Sequence, residues 1–119
     1  NNMTLELAKF LFSEFIENNN EDEVIEFFRR SPYGYLTMLL IYINQIEKKE
    51  LSLSDIYKNI PDKIASQLTI NNLINDAVDA RFLKKDTMSK DSRAVSITLS
   101  DEAFKATENW LQKINTVIK

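Results

Sequence analysis

Apolar residues recur along this chain at two spacings, and the point where one gives way to the other is its most informative feature. Across residues 4–18, Leu5, Ala8, Leu11, Phe12, Phe15 and Ile16 fall three and four apart, the period of a helix with one apolar face. Leu7 and Phe10 widen that face. The run Asn18-Asn19-Asn20 breaks the pattern, and residues 21–28 fit either a short helix or an irregular arm. Ser31-Pro32 predicts a helix start, since the hydroxyl can cap it and proline's missing N–H costs nothing in a first turn. Leu36, Leu39, Leu40, Ile43 and Ile46 carry that helix to about Lys49. Tyr33, Tyr35, Met38 and Tyr42 make it apolar nearly all round, so it is expected to be central.

Beyond it, Ser52 or Ser54 is expected to cap a short helix through Ile56, Tyr57 and Ile60, limited by Pro61. Ile64, Ala65 and Leu68 suggest a second short element. Residues 69–80 predict a stronger helix, with Ile70, Leu73, Ile74, Ala77 and Val78 at helical spacing. The period then drops to two. Residues 82–85 suit a short strand, residues 87–92 a polar turn, and residues 94–99 alternate Val95, Ile97 and Leu99 with Ser96 and Thr98. Two short strands around a polar turn make a hairpin, which needs a hydrophobic partner to persist. Ser100, Asp101 or both cap a last helix in which Phe104, Thr107, Leu111, Ile114 and Ile118 step by three and four, with Trp110 and Val117 extending the face. The expected fold class is mainly α with a small β-hairpin, in one domain spanning residues 1–119.

Short helix, turn, helix, strand, polar turn, strand is the order of a winged helix-turn-helix, whose second helix enters the major groove of DNA. On that helix and just before it, Ser66, Gln67, Thr69, Asn71, Asn72 and Asn75 are the candidate base-reading residues, because Asn can bond bidentately to adenine and Thr offers a hydroxyl or a methyl. Asp76 and Asp79 follow and would repel phosphates, so they are expected to point away or to pair with Arg81. Charge sharpens the picture. The chain carries a net charge of -3, but residues 81–93 hold five bases and two acids, whereas residues 1–30 hold three bases and seven acids. Lys84, Lys85, Lys90, Ser92 and Arg93 on the hairpin are therefore candidate phosphate contacts.

Composition removes most chemistry. The sequence has neither Cys nor His, which excludes thiol nucleophiles, imidazole bases and Cys/His zinc sites, and leaves no metal or cofactor to expect. Acidic pairs such as Asp76/Asp79 and Asp101/Glu102 arise on any solvated helix, and no nucleophile-elbow or phosphate-loop pattern occurs, so no enzyme is expected. No apolar run approaches the ~20 residues needed to span a bilayer, and the start lacks the features of a signal peptide. A cytoplasmic protein without membrane contact is the expectation.

The segment T69-I70-N71-N72-L73-I74-N75-D76-A77 resembles the recognition helix of MarR-type transcriptional regulators, roughly Ser/Thr-Val-Ser/Thr-Arg-Leu-Val-Asp-x-Leu. F82-L83-K84-K85 is similar to the stretch after it, D91-S92-R93-A94 to the family's wing, and I97-T98-L99-S100-D101-E102-A103 to the opening of its final helix. The sequence departs from the family at Asn72, where Arg is usual, and at Arg81 and Ala103, where Gly is usual. The resemblance implies that Asp91 orders the wing and that Arg93 reaches the DNA backbone or minor groove. It implies a homodimer held by the terminal helices, residues 1–30 and 100–119, through Leu5, Leu11, Phe15, Trp110, Leu111, Ile114 and Ile118. Residues 50–99 become the DNA-binding lobe, and a cleft between lobe and dimer helices is expected to take small aromatic or phenolic effectors. The tyrosines at 33, 35 and 42 read as packing residues rather than as that cleft's wall. Two functions stand: a sequence-specific double-stranded DNA-binding regulator, and a winged-helix protein–protein interaction module, which the acidic balance favours.

Overall fold

The computed structural model describes residues 2–87 and 94–118. Within them the elements are α1 (Asn2–Glu21), α2 (Glu23–Arg29), α3 (Pro32–Ile46), α4 (Leu53–Asn59), α5 (Gln67–Asp79), β1 (Leu83–Thr87), β2 (Val95–Leu99) and α6 (Asp101–Ile118). Local chemistry sets most boundaries. The stretch that fitted either a helix or an arm is helical because Asp22 caps it, its Oδ1 accepting from the N–H groups of Val24 (3.0 Å) and Ile25 (3.3 Å). Ser31 Oγ caps α3 through Gly34 N–H at 3.1 Å. Only glycine fits there, since a Cβ would lie 2.5 Å from the Phe28 carbonyl oxygen and 2.9 Å from Ser31 Oγ. Ser52 rather than Ser54 caps α4. Its Oγ accepts from Asp55 N–H (3.1 Å) while its own N–H donates to Asp55 Oδ2 (2.9 Å). That backbone donor above all holds the Asp55 carboxyl below its ordinary range, against burial.

The second short element expected around Ile64, Ala65 and Leu68 does not form. Residues 62–64 are a turn, and Leu68 belongs to α5. Ser66 caps α5 with its Oγ accepting from Thr69 N–H at 3.1 Å, so the helix begins ahead of the expected Thr69. Both α3 and α5 end on a left-handed residue, Lys48 (φ 58°) and Arg81 (φ 66°). After α5, Phe82 N–H donates to the Ala77 carbonyl (2.8 Å) and Arg81 N–H to the Val78 carbonyl (3.0 Å); Lys49 and Lys48 do the same with Asn44 and Gln45. This double bond pattern closes a helix end and favours glycine at the left-handed position.

The core joins α2, α3, α4, α5, the hairpin and α6. Ile25, Phe28, Met38, Ile41, Ile56, Ile70, Ile74, Leu83, Ile97 and Leu99 are fully buried in it. In the antiparallel hairpin Leu83 lies opposite Leu99, Lys85 opposite Ile97 and Thr87 opposite Val95. Its other edge is extended by Leu51, whose carbonyl accepts from Ile97 N–H at 2.8 Å, and by a bridge between Ser52 and Ser96. Gln45 Oε1 accepts from Leu99 N–H at 2.6 Å, tying α3 to β2. The expected central place of α3 follows from these contacts. Tyr42 stacks on Phe104 at 5.1 Å and Tyr35 meets Trp110 edge-on at 6.0 Å.

Helix α1 sits differently. Among its described side chains Glu14 and Asn18 are buried, while Met3, Leu5, Leu11, Phe12, Phe15 and Ile16 are exposed, Phe12 at 71%. Glu14 is the anchor. Its Oε1 pairs with Arg29 Nη1 of α2 at 2.7 Å, and both side chains are at most 6% exposed. Its Oε2 accepts from Asn18 Nδ2 (2.6 Å) and from Trp110 Nε1 of α6 (3.0 Å). The Arg29 guanidinium lies 4.4 Å from the Phe15 ring centroid and 5.5 Å from that of Trp110. Trp110 corrects an expectation: at 4% exposure it is sealed inside its own chain and leaves no surface for a dimer seam. Of the other expected seam residues, Leu5, Leu11, Phe15 and Ile118 are exposed, and Leu111 and Ile114 are half-buried. The molecule is elongated, 52 × 28 × 25 Å with a radius of gyration of 15.4 Å, against about 13.5 Å for a compact chain of this length.

Burial alone raises the pKa of Glu14, but donors from Arg29, Asn18 and Trp110, with the Arg29 charge, outweigh it and hold the carboxyl below its ordinary 4.5. The unfolded chain therefore binds the proton first. The stabilisation is complete above that ordinary value and is lost as pH falls through the lower folded one. Glu14→Gln is expected to cost about 3–5 kcal/mol near neutral pH, because it strands a buried Arg29, and to flatten the acid limb of stability measured by urea melts between pH 3 and 6. An unchanged acid limb refutes the pairing. Arg81→Gly, at a left-handed position, is expected to stabilise by about 1 kcal/mol in the same melts; a loss of stability means that the Arg side chain, not the backbone, sets the free energy there.

Candidate nucleic-acid interface

Helix α5 lies against the core through Ile70, Ile74 and Ala77. Gln67, Leu68, Asn72, Asn75, Asp76 and Asp79 are exposed, and Thr69 and Asn71 are half-buried. The candidate base readers do not form a single cluster. Asn75 turns toward the hairpin, its Oδ1 accepting from Lys85 Nζ at 3.0 Å. Thr69 and Asn72 border a cleft of about 340 Å³ on the opposite flank, shared with Phe27, Arg30, Ser31, Tyr33 and Asp76. Gln67 borders a third surface, an open groove of about 540 Å³ walled by Leu53, Ser54, Tyr57 and Lys58 of α4. Ser66 is occupied by capping, and its hydroxyl also donates to Thr69 Oγ1 at 3.0 Å. Arg81 forms no ion pair with Asp76 or Asp79 among the described residues.

The hairpin separates two lysines that stand side by side in the sequence. Side chains alternate along a strand, so Lys85 shares a face with Leu83, Ile97 and Leu99 and reaches α5, while Lys84, opposite Thr98, takes the other face. Both are exposed. Lys90, Asp91, Ser92 and Arg93 lie outside the described residues. Two exposed cations escaped the sequence reading: Lys58, in the last turn of α4, and Lys63, in the turn that follows. Their signal was position alone, since both belong to the helix-turn-helix, but no basic run marks them. Residues 50–99 hold seven acidic and seven basic residues, so the lobe is neutral as a whole.

A further concavity lies where α1, the α2–α3 junction and α6 meet. It measures about 400 Å³ and is lined by Leu11, Phe15, Tyr35, Trp110 and Ile114, with Glu14, Arg29, Arg30, Ser31 and Pro32 at its polar side. That size and lining suit a small apolar molecule. Tyr35 belongs to this wall, contrary to the expectation that it only packs; Tyr42 does pack, and burial with the Glu108 carboxylate beside it raises its hydroxyl pKa. Among the described residues no acidic group of three or more could hold a metal ion, and no helix is long and apolar enough to cross a membrane.

A helix-turn-helix followed by a two-stranded wing and flanked by helices at both ends is a winged-helix protein, and the arrangement is that of the MarR-type regulators. Similar solved structures include the S. aureus MepR–DNA complex, at 18% identity over 91% of this chain and 85% of that one, with a TM-score of 0.60. S. aureus MepR bound to ethidium bromide gives 19% identity, coverage of 91% and 75%, and a TM-score of 0.61. The transcription regulator MarR from Oenococcus oeni PSU-1 gives 18%, coverage of 92% and 79%, and 0.55. At this identity the likeness establishes the fold. No protein-family model matches the sequence, and neither does any curated protein.

Because Ser66 caps α5, Ser66→Ala is expected to act on stability, lowering the unfolding free energy by about 1 kcal/mol in urea melts. An unchanged melting curve overturns the capping role and returns Ser66 to the candidate contacts.

Proposed function

We propose that this chain is a sequence-specific, double-stranded DNA-binding transcription regulator that works as a homodimer. The observation that carries the reading is the asparagine-bearing, solvent-facing side of α5, the second helix of a helix-turn-helix, with a lysine-bearing wing joined to it through Lys85 and Asn75. A helix in this position enters the major groove by its N-terminal part, where Asn71 and Asn72 can bond adenine edges. Gln67 and Thr69 flank them. Lys84 and Lys85, with Lys90, Ser92 and Arg93 on the wing ordered by Asp91, supply phosphate contacts, and Lys58 and Lys63 add cations on the helix-turn-helix itself. Residues 50–99 form the DNA-binding lobe. The likeness to MepR, solved as a DNA complex, supports this use of the fold.

The bare side of α1 supports dimerisation. Leu5, Leu11 and Phe15, with Ile118, Leu111 and Ile114 of α6, give residues 1–30 and 100–119 an apolar surface that a second copy would cover by two-fold pairing, the commonest closed assembly. A small aromatic effector would occupy the cleft beside Trp110 and Tyr35; MepR has been solved bound to ethidium bromide. It would act by binding the DNA-competent and incompetent geometries with different affinity. A second reading, a winged-helix module for a protein partner, draws on Asp76 and Asp79, both exposed on α5, and on the neutral lobe.

Selection from a random duplex pool separates the two. The regulator should enrich a palindrome with half-sites about 34–36 Å apart; a pool with no enriched sequence favours the protein partner. On the selected duplex, Arg93→Ala is expected to weaken binding and to lower the slope of log affinity against log salt by about one unit. An unchanged slope by fluorescence anisotropy removes Arg93 from the interface.

A further inference from the structure

The outward side of α5 carries a residue that neither its polar neighbours nor the core explains. Leu68, in the first turn, is 68% exposed, although Ile70, Ile74 and Ala77 already supply the helix's buried face. Leu68, Asn71 and Asn72 stand at i, i+3 and i+4, so they are neighbours on one stripe of the helix surface. Two of the three are amides suited to adenine, and the third is a bulky aliphatic group at the end that leads into a groove; Asn75, a turn further along, is held by Lys85. In the major groove the apolar partner available is the C5 methyl of thymine, and an A·T pair presents that methyl next to the adenine N6 and N7 that an Asn can bond. Amide and aliphatic groups on one stripe are thus complementary to the same kind of base pair.

We propose that Leu68 is a specificity-determining residue that reads the 5-methyl group of a thymine in each half-site, biasing the operator toward A·T pairs beneath the first turn of α5. The inference rests on the DNA-binding reading and sharpens it. An exposed leucine can be changed without disturbing the fold, so Leu68→Ala is a clean variant, and equal melting curves for the two proteins verify this. The selected duplex and copies in which deoxyuridine replaces thymine at one symmetric position at a time are titrated with both proteins by fluorescence anisotropy. At one position the missing methyl should weaken the parent chain about fourfold per half-site, the worth of one buried methyl group, and Leu68→Ala should show no such loss there. Equal sensitivity of both proteins, or indifference of the parent to every deoxyuridine, overturns the inference while leaving DNA binding intact. If no duplex is enriched at all, the DNA-binding reading falls and this one with it.

Discussion

A carboxylate buried among donors from three helices decides how this molecule is assembled. Glu14 reaches down from α1, Arg29 comes from α2, and Trp110 closes the site from α6, with Asn18 completing it from one turn further along α1. Removing a carboxylate and a guanidinium from water costs several kcal/mol per ion, and close, well-directed bonds are needed to offset it. Apolar packing tolerates sliding and rotation; this site does not, because each bond has a direction. It therefore fixes the seating of α1 on the rest of the chain, and the stacking of Phe15 and Trp110 about the guanidinium reinforces the same seating.

The consequence is a helix seated by a polar anchor. An ordinary surface helix buries its apolar stripe and shows polar residues to water, but α1 buries Glu14 and Asn18, half-buries Leu7 and Phe10, and leaves Leu5, Leu11, Phe12, Phe15 and Ile16 exposed. On the proposed reading the polar anchor and the bare face are two halves of one design: the first sets the angle of α1, and the second passes that angle to a partner copy. The aromatic cleft adjoins the anchor, so an occupant pressing on Trp110 or Arg29 would alter the seating of α1 and with it the spacing of the two lobes. Such a link between sites is a coupling free energy, and it needs no contact between effector and DNA.

Much of this was legible in the sequence. Ser31-Pro32 started α3, the alternation of Val95, Ile97 and Leu99 became β2, and the helical periods of residues 69–80 became most of α5. The winged-helix order followed from those pieces. What escaped has identifiable causes. Leu68 suggests a second short element that does not form, because an apolar residue in a first turn looks like core until the cap at Ser66 is known. Trp110 suggests a seam because periodicity distinguishes a buried face from a polar one, but not burial by the same chain from burial by another. Lys84 and Lys85 read as one basic patch in a count of charges, although alternation along β1 separates them. The Glu14–Arg29 pair joins residues fifteen positions apart across a helix break, and no local pattern encodes it.

The neutral lobe constrains how such a protein can bind DNA. Phosphate neutralisation supplies most of the sequence-independent affinity of DNA-binding proteins, and a lobe with seven acids against seven bases has little of it to offer. Two of those acids, Asp76 and Asp79, are exposed on α5 itself. Among the described residues the lobe's cations are divided among separate places: Lys58 and Lys63 on the helix-turn-helix, Arg81 just past α5, and Lys84 and Lys85 on opposite faces of the hairpin. Weak background affinity is compatible with regulation only if the contacts left are selective and are used twice. On the proposed reading, amide and aliphatic side chains on α5 would meet the first condition, since such groups discriminate bases and attract phosphates little. A two-fold dimer meets the second, because once one lobe is seated the other binds at high effective concentration. On this view the apolar face of α1 is as much a part of DNA recognition as α5, since a single lobe with so little charge would have too little hold on a duplex to find its site.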